Sequence, residues 1–334
     1  MLAAMATTSL GDDVFREDEV TLSFEREVAS LCGHEAGAFV ITGTMANQLS
    51  IRALLTLPPY AVLADSRAHI LHFEGAGVGI MSGAHVQTVQ PSNGRYMRLE
   101  DIKAEAVLTD DVHKCPTRVI SIENTAGGSV VPVSELARIS QWAHANDILL
   151  HMDGARLFEA IATGAGSLYD YCSLCDLVTV DFSKNLGAPM GAMVLGSSAR
   201  IHQLRRLRKS IGGAMRQCGP IAAAAQYAFH EQFGGGTWGT PVKIQATHEL
   251  AKRVGRMWKD QGGSLLRDVE TNQVWVDLNR AGISDQQWNE TGRKHGVKLD
   301  GKRVVFHHQT SEDAVARLGL VFQEVLGQRF EAHL

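Results

Sequence analysis

The sequence predicts an α/β fold: a large domain over residues 1–240 built on a mostly parallel sheet, then a small C-terminal α+β domain over residues 241–334. Three observations predict it. Short apolar runs of strand length alternate with amphipathic helical stretches from about residue 24 to 230, the pattern of βαβ units. The glycine-rich "GGGTWGT", Gly234 to Thr240, is the clearest breaker in the chain. After it come one long helical stretch, two short strands and a closing helix. A chain of 334 residues is too long for one small core, which fits this division.

Taken in order, "LSFEREVASLCG" has helical spacing and ends on a glycine stop signal. "AGAFVITG" reads as a strand and "TMANQLSIRALLTL" as the helix after it. "YAVLAD" is a short strand, followed by the turn-rich "SRAHILHFEGAG". "TRVISIEN" alternates as a strand, "VSELARISQWAHAND" is an amphipathic helix, and "ILLHMD" is the strand it leads into. "CDLVTVDFS" is too short and too β-branched for a helix and reads as a mostly buried strand. In the second domain a helix over about 241–260 precedes the strands "NQVWVDL" and "RVVFHHQ" and the helix through "SEDAVARLGLVFQEVLGQ".

Composition narrows the partners. Net charge is −4, so no global field draws the chain to nucleic acid or an anionic membrane surface. The one dense basic cluster, "RRLRKS" at Arg205 to Ser210, reads as a solvated helix face. No apolar run reaches membrane-spanning length, and the first residues lack the positive start and apolar core of a signal peptide. Five scattered cysteines form no disulfide framework and point to a reducing compartment, the cytoplasm. Cys172 and Cys175 have C-x-x-C spacing, but no second pair follows, and they read as buried free thiols. No metal-ligand spacing is present. His113, His230 and His248 read as surface or helix-cap residues.

Ligands of such sheets sit outside the carboxyl ends of the strands. That rule places "TGT", "ENT", "HMDGAR" and "SKN" at one rim, because each follows a strand-like run. Lys184, directly after an apolar strand, is a candidate nucleophile; a lysine snorkelling from a strand end is the plainer reading. Asp153 is suited to hold a pyridinium nitrogen protonated, and alone reads as a helix N-cap before "GARLFEAIA". "TGTMANQ", Thr42 to Gln48, sets hydroxyls and a glycine at a helix start, where free N–H groups and the helix dipole suit a phosphate. Phosphate cradle, acid for a ring nitrogen and lysine, together and in that order, are the fixtures pyridoxal phosphate needs.

The stretches "GDDVFREDEVT", "FVITGTMANQ", "RAHILHFEGAG", "ISIENT", "HMDGARLFEA", "SKNLGAPMG", "RKSIGGAMRQ" and "RVVFHH" resemble the L-threonine aldolase family of pyridoxal-phosphate enzymes over nearly the whole chain. The resemblance implies the aspartate-aminotransferase-type fold (fold type I). It implies that Lys184 carries the cofactor covalently, Asp153 pairs with the pyridine nitrogen and Arg156 contacts the ring oxygen. Thr42, Gly43 and Thr44 would hold the phosphate, helped by Lys209 or Arg216, some of this from a neighbouring subunit. His69, five residues before Glu74, would stack on the ring and supply a base, with His72 near the substrate. Arg303 would grip the substrate's α-carboxylate, a task for a two-pronged guanidinium. His307 and His308 follow it closely. A small amino acid as substrate, and a homodimer or homotetramer with sites at the subunit interface, are further implications.

The chain departs from the family pattern in three places. Its "ENTAGG" has Ala126 where the family commonly carries a histidine, and Asn185 follows the lysine in place of a glycine. The family's N-terminal segment with an S-D-T sequence would precede the first residue here. The expected reaction is retro-aldol cleavage of L-threonine, L-allo-threonine or related β-hydroxy amino acids to glycine and an aldehyde. Ala126 motivates an alternative, an amino-acid (alanine) racemase in which Lys184 serves one face of Cα. The N-terminal segment motivates a third reading, a non-catalytic protein that keeps the fold.

Overall fold

The computed structural model describes residues 1–234 and 241–331, with side chains to residue 327; most of the "GGGTWGT" breaker therefore lies outside the described residues. The chain divides into two compact units, Met1–Pro241 and Val242–Leu334.

In the first unit, seven strands form one sheet: β1 (Ala36–Val40), β2 (Ala61–Asp65), β3 (His85–Val89), β4 (Thr117–Glu123), β5 (Leu149–Gly154), β6 (Leu177–Asp181) and β7 (Ala192–Gly196). Their order is β1-β7-β6-β5-β4-β2-β3. Only β7 is antiparallel to its neighbours, β1 and β6; the other pairings are parallel. Six strands therefore run the same way and deliver their carboxyl ends to one rim. Strands β2, β6 and β7 are buried along their whole length, which is why they read as continuous apolar runs.

Two cores clamp this sheet. On one side, Leu49 and Ile51 of the helix Gly43–Leu54 and Ile201 and Leu204 of the helix Ser198–Ser210 pack with Val40, Val62, Val119 and Val194. Elsewhere in this unit, Phe24, Phe39, Phe158, Phe182, Phe229 and Phe233 form a continuous aromatic cluster, with Phe39 and Phe182 stacked at 6.5 Å between centroids. Strand β3 and the helix Leu99–Glu105 go beyond the sequence reading. β3 is an edge strand, only partly buried and rich in polar residues, so its hydrophobic signal is weak.

The basic cluster at Arg205 to Ser210 is not simply a solvated face. Arg205 and Arg208 lie three apart on the inward side of their helix. Arg205 Nη2 pairs with Glu25 at 2.7 Å, and the buried Arg208 pairs with Asp13 at 2.6 Å while donating to the Phe39 carbonyl. Arg206 and Lys209 are exposed. His248 is likewise buried rather than on the surface, within the helix Val242–Asp260.

In the second unit, β8 (Gln273–Trp275) pairs antiparallel with β9 (Arg303–Val305), beside the helices Val242–Asp260, Asp285–Lys294 and Glu312–Glu331. Its core centres on Trp258, Trp288 and Phe322; Trp288 stacks on Phe322 at 6.0 Å and Trp258 meets it edge-on at 4.9 Å. Among the described residues, no helix is long and apolar enough to cross a membrane. Trp258→Ala is expected to lower the stability of this unit by about 3–5 kcal/mol, measured by denaturant unfolding, because the large cavity can collapse only in part.

Candidate active site

The rim is built from the ends of three neighbouring parallel strands. Glu123 of β4 lies opposite Asp153 of β5, and Asp153 lies opposite Thr179 of β6, two residues before Asp181. Asp153 is buried and has no capping role: the helix Leu157–Ala162 begins after Arg156, and Asp153 Oδ1 instead accepts from the Ala155 N–H at 3.1 Å. Its Oδ2 accepts from Asn47 Nδ2 at 2.8 Å. The same amide nitrogen donates to Glu74 Oε1 at 2.9 Å, and Gln48 Nε2 donates to Glu74 Oε2 at 2.5 Å. His69 Nδ1 lies 2.8 Å from Glu74 Oε1. A connected network therefore runs Asp153–Asn47–Glu74–His69.

Asn47, Gln48 and Glu74 have no assigned role in the sequence reading. Their signal is that amides occupy positions 47 and 48 on a helix face that otherwise buries apolar residues, and a buried polar group calls for a partner. Ligand atoms of His69, Glu74 and Asp153 lie within 4.8 Å of one another, a spacing a metal ion also accepts. Here the Asn47 amide already donates to both carboxylates, so hydrogen bonds account for the cluster.

The electrostatics follow from burial. Burial pushes the Glu123 carboxyl up to about 7, and the charge of Asp153 adds to this. The His69 N–H donating to Glu123 Oε2 at 3.1 Å, with Arg156 and His69 charges, opposes the shift. The hydrogen bond to Glu74 raises His69 above the usual imidazole value, against the effect of its partial burial. Two residues before Asp153, the fully buried His151 lies 2.9 Å from Ser121 Oγ and 3.4 Å from Thr179 Oγ1; burial lowers it to about 4 and keeps it neutral.

Lys184 is half-buried three residues beyond β6, its Nζ 3.8 Å from Asp181 Oδ2. Burial lowers its ammonium below the ordinary lysine value and Arg156 adds to this, against Asp181, Asp153 and Glu123. Asp181 Oδ1 accepts from the Ser183 N–H at 2.7 Å and the Ser183 hydroxyl at 2.6 Å. The next residue, Asn185, is buried and donates to Glu159 Oε1 at 2.8 Å, so the amide that replaces a glycine has its own partner.

Across the rim, Thr42 caps the helix Gly43–Leu54, its Oγ1 accepting from the Met45 N–H at 3.1 Å. A Cβ on Gly43 would come within 2.9 Å of Asp181 Oδ2, so the helix start approaches β6 as closely as a glycine allows. Thr44 is exposed.

The other expected site residues have the following surroundings. His72 is exposed, with Nε2 2.6 Å from the Ser66 carbonyl, while its neighbour His69 is the one tied to Glu74. Lys209 is exposed, and the exposed Arg216 pairs with Asp12 at 2.5 Å. Ala126 is buried in an isolated bridge with Ser129. Arg303 is exposed in β9 of the second unit, 5.8 Å from the Trp275 ring centre, and the rings of His307 and His308 lie 4.0 Å apart. The five cysteines are free, and all but Cys115 are buried.

A mostly parallel seven-stranded sheet with a single antiparallel strand next to one edge, and with a lysine and a carboxylate at the ends of adjacent strands, is the architecture called fold type I, which pyridoxal-phosphate enzymes share. Solved structures share the fold. Threonine aldolase of Leishmania major superposes with a TM-score of 0.80 at 18% identity, over 97% of this chain and 94% of that one. Serine palmitoyltransferase of Sphingomonas wittichii does so with a TM-score of 0.73 at 14% identity, over 98% and 82%. The chain belongs to the beta-eliminating lyase family, whose model matches residues 1–281. It is 55% identical to alanine racemase TOXG of Cochliobolus carbonum, over 98% of this chain and 84% of that protein. It is 38% identical to the low-specificity L-threonine aldolase of Saccharomyces cerevisiae, over 97% and 82%.

The folded protein keeps the Glu123 proton up to about pH 7, whereas an unfolded carboxyl releases it near 4.5. Between those values the native state binds more protons than the unfolded chain, so this group costs stability as pH rises through that interval. Glu123→Gln is therefore expected to unfold at higher denaturant than the parent above pH 7, by about 1 kcal/mol or more, with the difference gone near pH 4.5.

Proposed function

We propose that the chain is a pyridoxal-phosphate enzyme that cleaves β-hydroxy-α-amino acids, L-threonine and L-allo-threonine among them, to glycine and an aldehyde. The observation that carries this reading is the convergence at one rim of half-buried Lys184, buried Asp153 and the helix start at Gly43. The donor set fits the cofactor. The helix Gly43–Leu54 begins at the rim, where its N-terminal N–H groups suit an anion, Asp153 offers a buried carboxylate for a basic ring nitrogen, and Lys184 is an amine made easier to deprotonate by its surroundings. When bound, pyridoxal phosphate draws electrons out of the bonds at the substrate's Cα.

Each residue then has a defined task. Thr42, Gly43 and Thr44 bind the phosphate, with Lys209 or Arg216 in support. Asp153, fixed by the Ala155 N–H and the Asn47 amide, holds a proton on the ring nitrogen. Lys184 would be the covalent attachment point and a base. Arg156 would supply positive charge to the ring oxygen. His69, held by Glu74, would stack on the ring and take the proton of the β-hydroxyl. Arg303 would bind the α-carboxylate, and His72 would serve the substrate side chain. The substrate is a small amino acid, and the assembly is a homodimer or homotetramer with shared sites, acting in the cytoplasm.

A second reading, racemisation of alanine or another small amino acid, is favoured by one residue and one relative. Ala126 puts a methyl group where a second histidine would act on a hydroxyl, and the racemase from Cochliobolus carbonum is more similar to this chain than the threonine aldolase of Saccharomyces cerevisiae. Racemisation needs no group at the β-hydroxyl, only proton donors and acceptors on the two faces of Cα, one of them Lys184.

Parallel incubation with L-threonine and L-alanine distinguishes the two. Glycine and acetaldehyde are expected from L-threonine; silence across several β-hydroxy amino acids, with D-alanine formed from L-alanine, replaces the first reading by the second. Lys184→Arg is expected to abolish either reaction, by about 10³-fold or more, and to remove the pyridoxyl adduct trapped by borohydride. Glu74→Gln removes the bond that raises His69, so the acid limb of the kcat/KM–pH profile is expected to move to lower pH.

A further inference from the structure

Asp181 has two oxygens in two different environments. Oδ1 is consumed by the Ser183 N–H and hydroxyl at 2.7 and 2.6 Å, a local turn contact that any short acceptor side chain satisfies. Oδ2 is what the turn does not explain. It faces Lys184 Nζ at 3.8 Å on one side, and on the other it lies 2.9 Å from the point where a Cβ on residue 43 would stand. The carboxylate is nearly buried, so its charge acts in a poorly screened setting. Opposing it around the lysine are the Arg156 guanidinium and the His69 imidazole, while Asp153 and Glu123 act in the same sense as Asp181.

We infer that Asp181 is a positioning residue for Lys184: with Oδ1 pinned by Ser183, Oδ2 holds the lysine head at the rim and favours its charged form whenever no cofactor is joined to it. The inference rests on the reading of Lys184 as the reacting amine. It gives the glycine at position 43 a second task besides its open N–H groups, since a side chain there would displace the oxygen that faces the lysine.

The test uses cofactor-free protein whose lysines are reductively dimethylated with ¹³C-formaldehyde and titrated by NMR, the Lys184 signal being assigned by its loss in Lys184→Arg. Asp181→Asn keeps an oxygen for Ser183 but removes the charge, and is expected to lower the Lys184 midpoint by about one pH unit or more. Asp181→Ser, a smaller side chain, is expected to do the same and stands in if the amide variant folds poorly. A midpoint unchanged in the folded variants overturns the inference, because a purely structural turn contact moves stability and not this titration. Borohydride trapping with added pyridoxal phosphate separates the two levels. An adduct on Lys184 with an unmoved midpoint removes Asp181's role alone, whereas a lowered midpoint without an adduct removes the functional reading and leaves the contact.

Discussion

Two carboxylates that sit side by side on the ends of adjacent parallel strands, Glu123 and Asp153, are the constraint to which the rest of the rim answers. Buried like charges at this spacing cannot both ionise without compensation. The structure divides the burden unequally. Asp153 accepts from the Asn47 amide and the Ala155 N–H, whereas Glu123 accepts one backbone N–H from His69 and is pushed by burial toward its neutral form. The asymmetry leaves Glu123 ready to keep a proton. It also ties His69 into the sheet from two sides, through its backbone to β4 and through its ring to Glu74.

How much of this could be read from the sequence depends on the range of the interaction. The βαβ alternation, the buried strands and the rim positions of Lys184, Asp153 and Thr42–Thr44 follow from local periodicity and from one topological rule, and the sheet bears them out. The links that turn those positions into a network do not. Asn47 reaches Asp153 across 106 residues of chain and Glu74 across 27, and nothing local to "TGTMANQ" names either partner. Arg205 and Arg208 misled for a similar reason: a dense run of basic residues reads as solvated until Glu25 and Asp13 arrive from the first helices of the chain to pair with them. Asp153 was legible in place but not in detail, since its local bond goes to a turn and not to a helix start.

The family and the fold therefore follow from features that are common to Cα chemistry, while the choice between reactions lies in groups around the substrate's side chain. Ala126 sits in a small bridged loop where it offers only a methyl group, and His69 is the one rim histidine joined to the carboxylate network among the described residues. Under the proposed function, one such histidine and one lysine are the groups available for moving a proton at either of two atoms, the substrate's β-oxygen or its Cα.

Strand β1 has a single partner in the sheet, β7, although 151 residues separate the end of one from the start of the other (192 − 41). The helix that opens at Gly43 hangs directly from β1, and β1 takes its place in the sheet only once a strand made long afterwards has formed. During synthesis, which adds roughly 5–20 residues per second, the middle strands can pair with one another well before β1 finds its partner. Closure of the sheet's far edge is thus a late event, and a nascent chain stalled short of β7 holds the strands from β2 to β6 while β1 has no partner in the sheet.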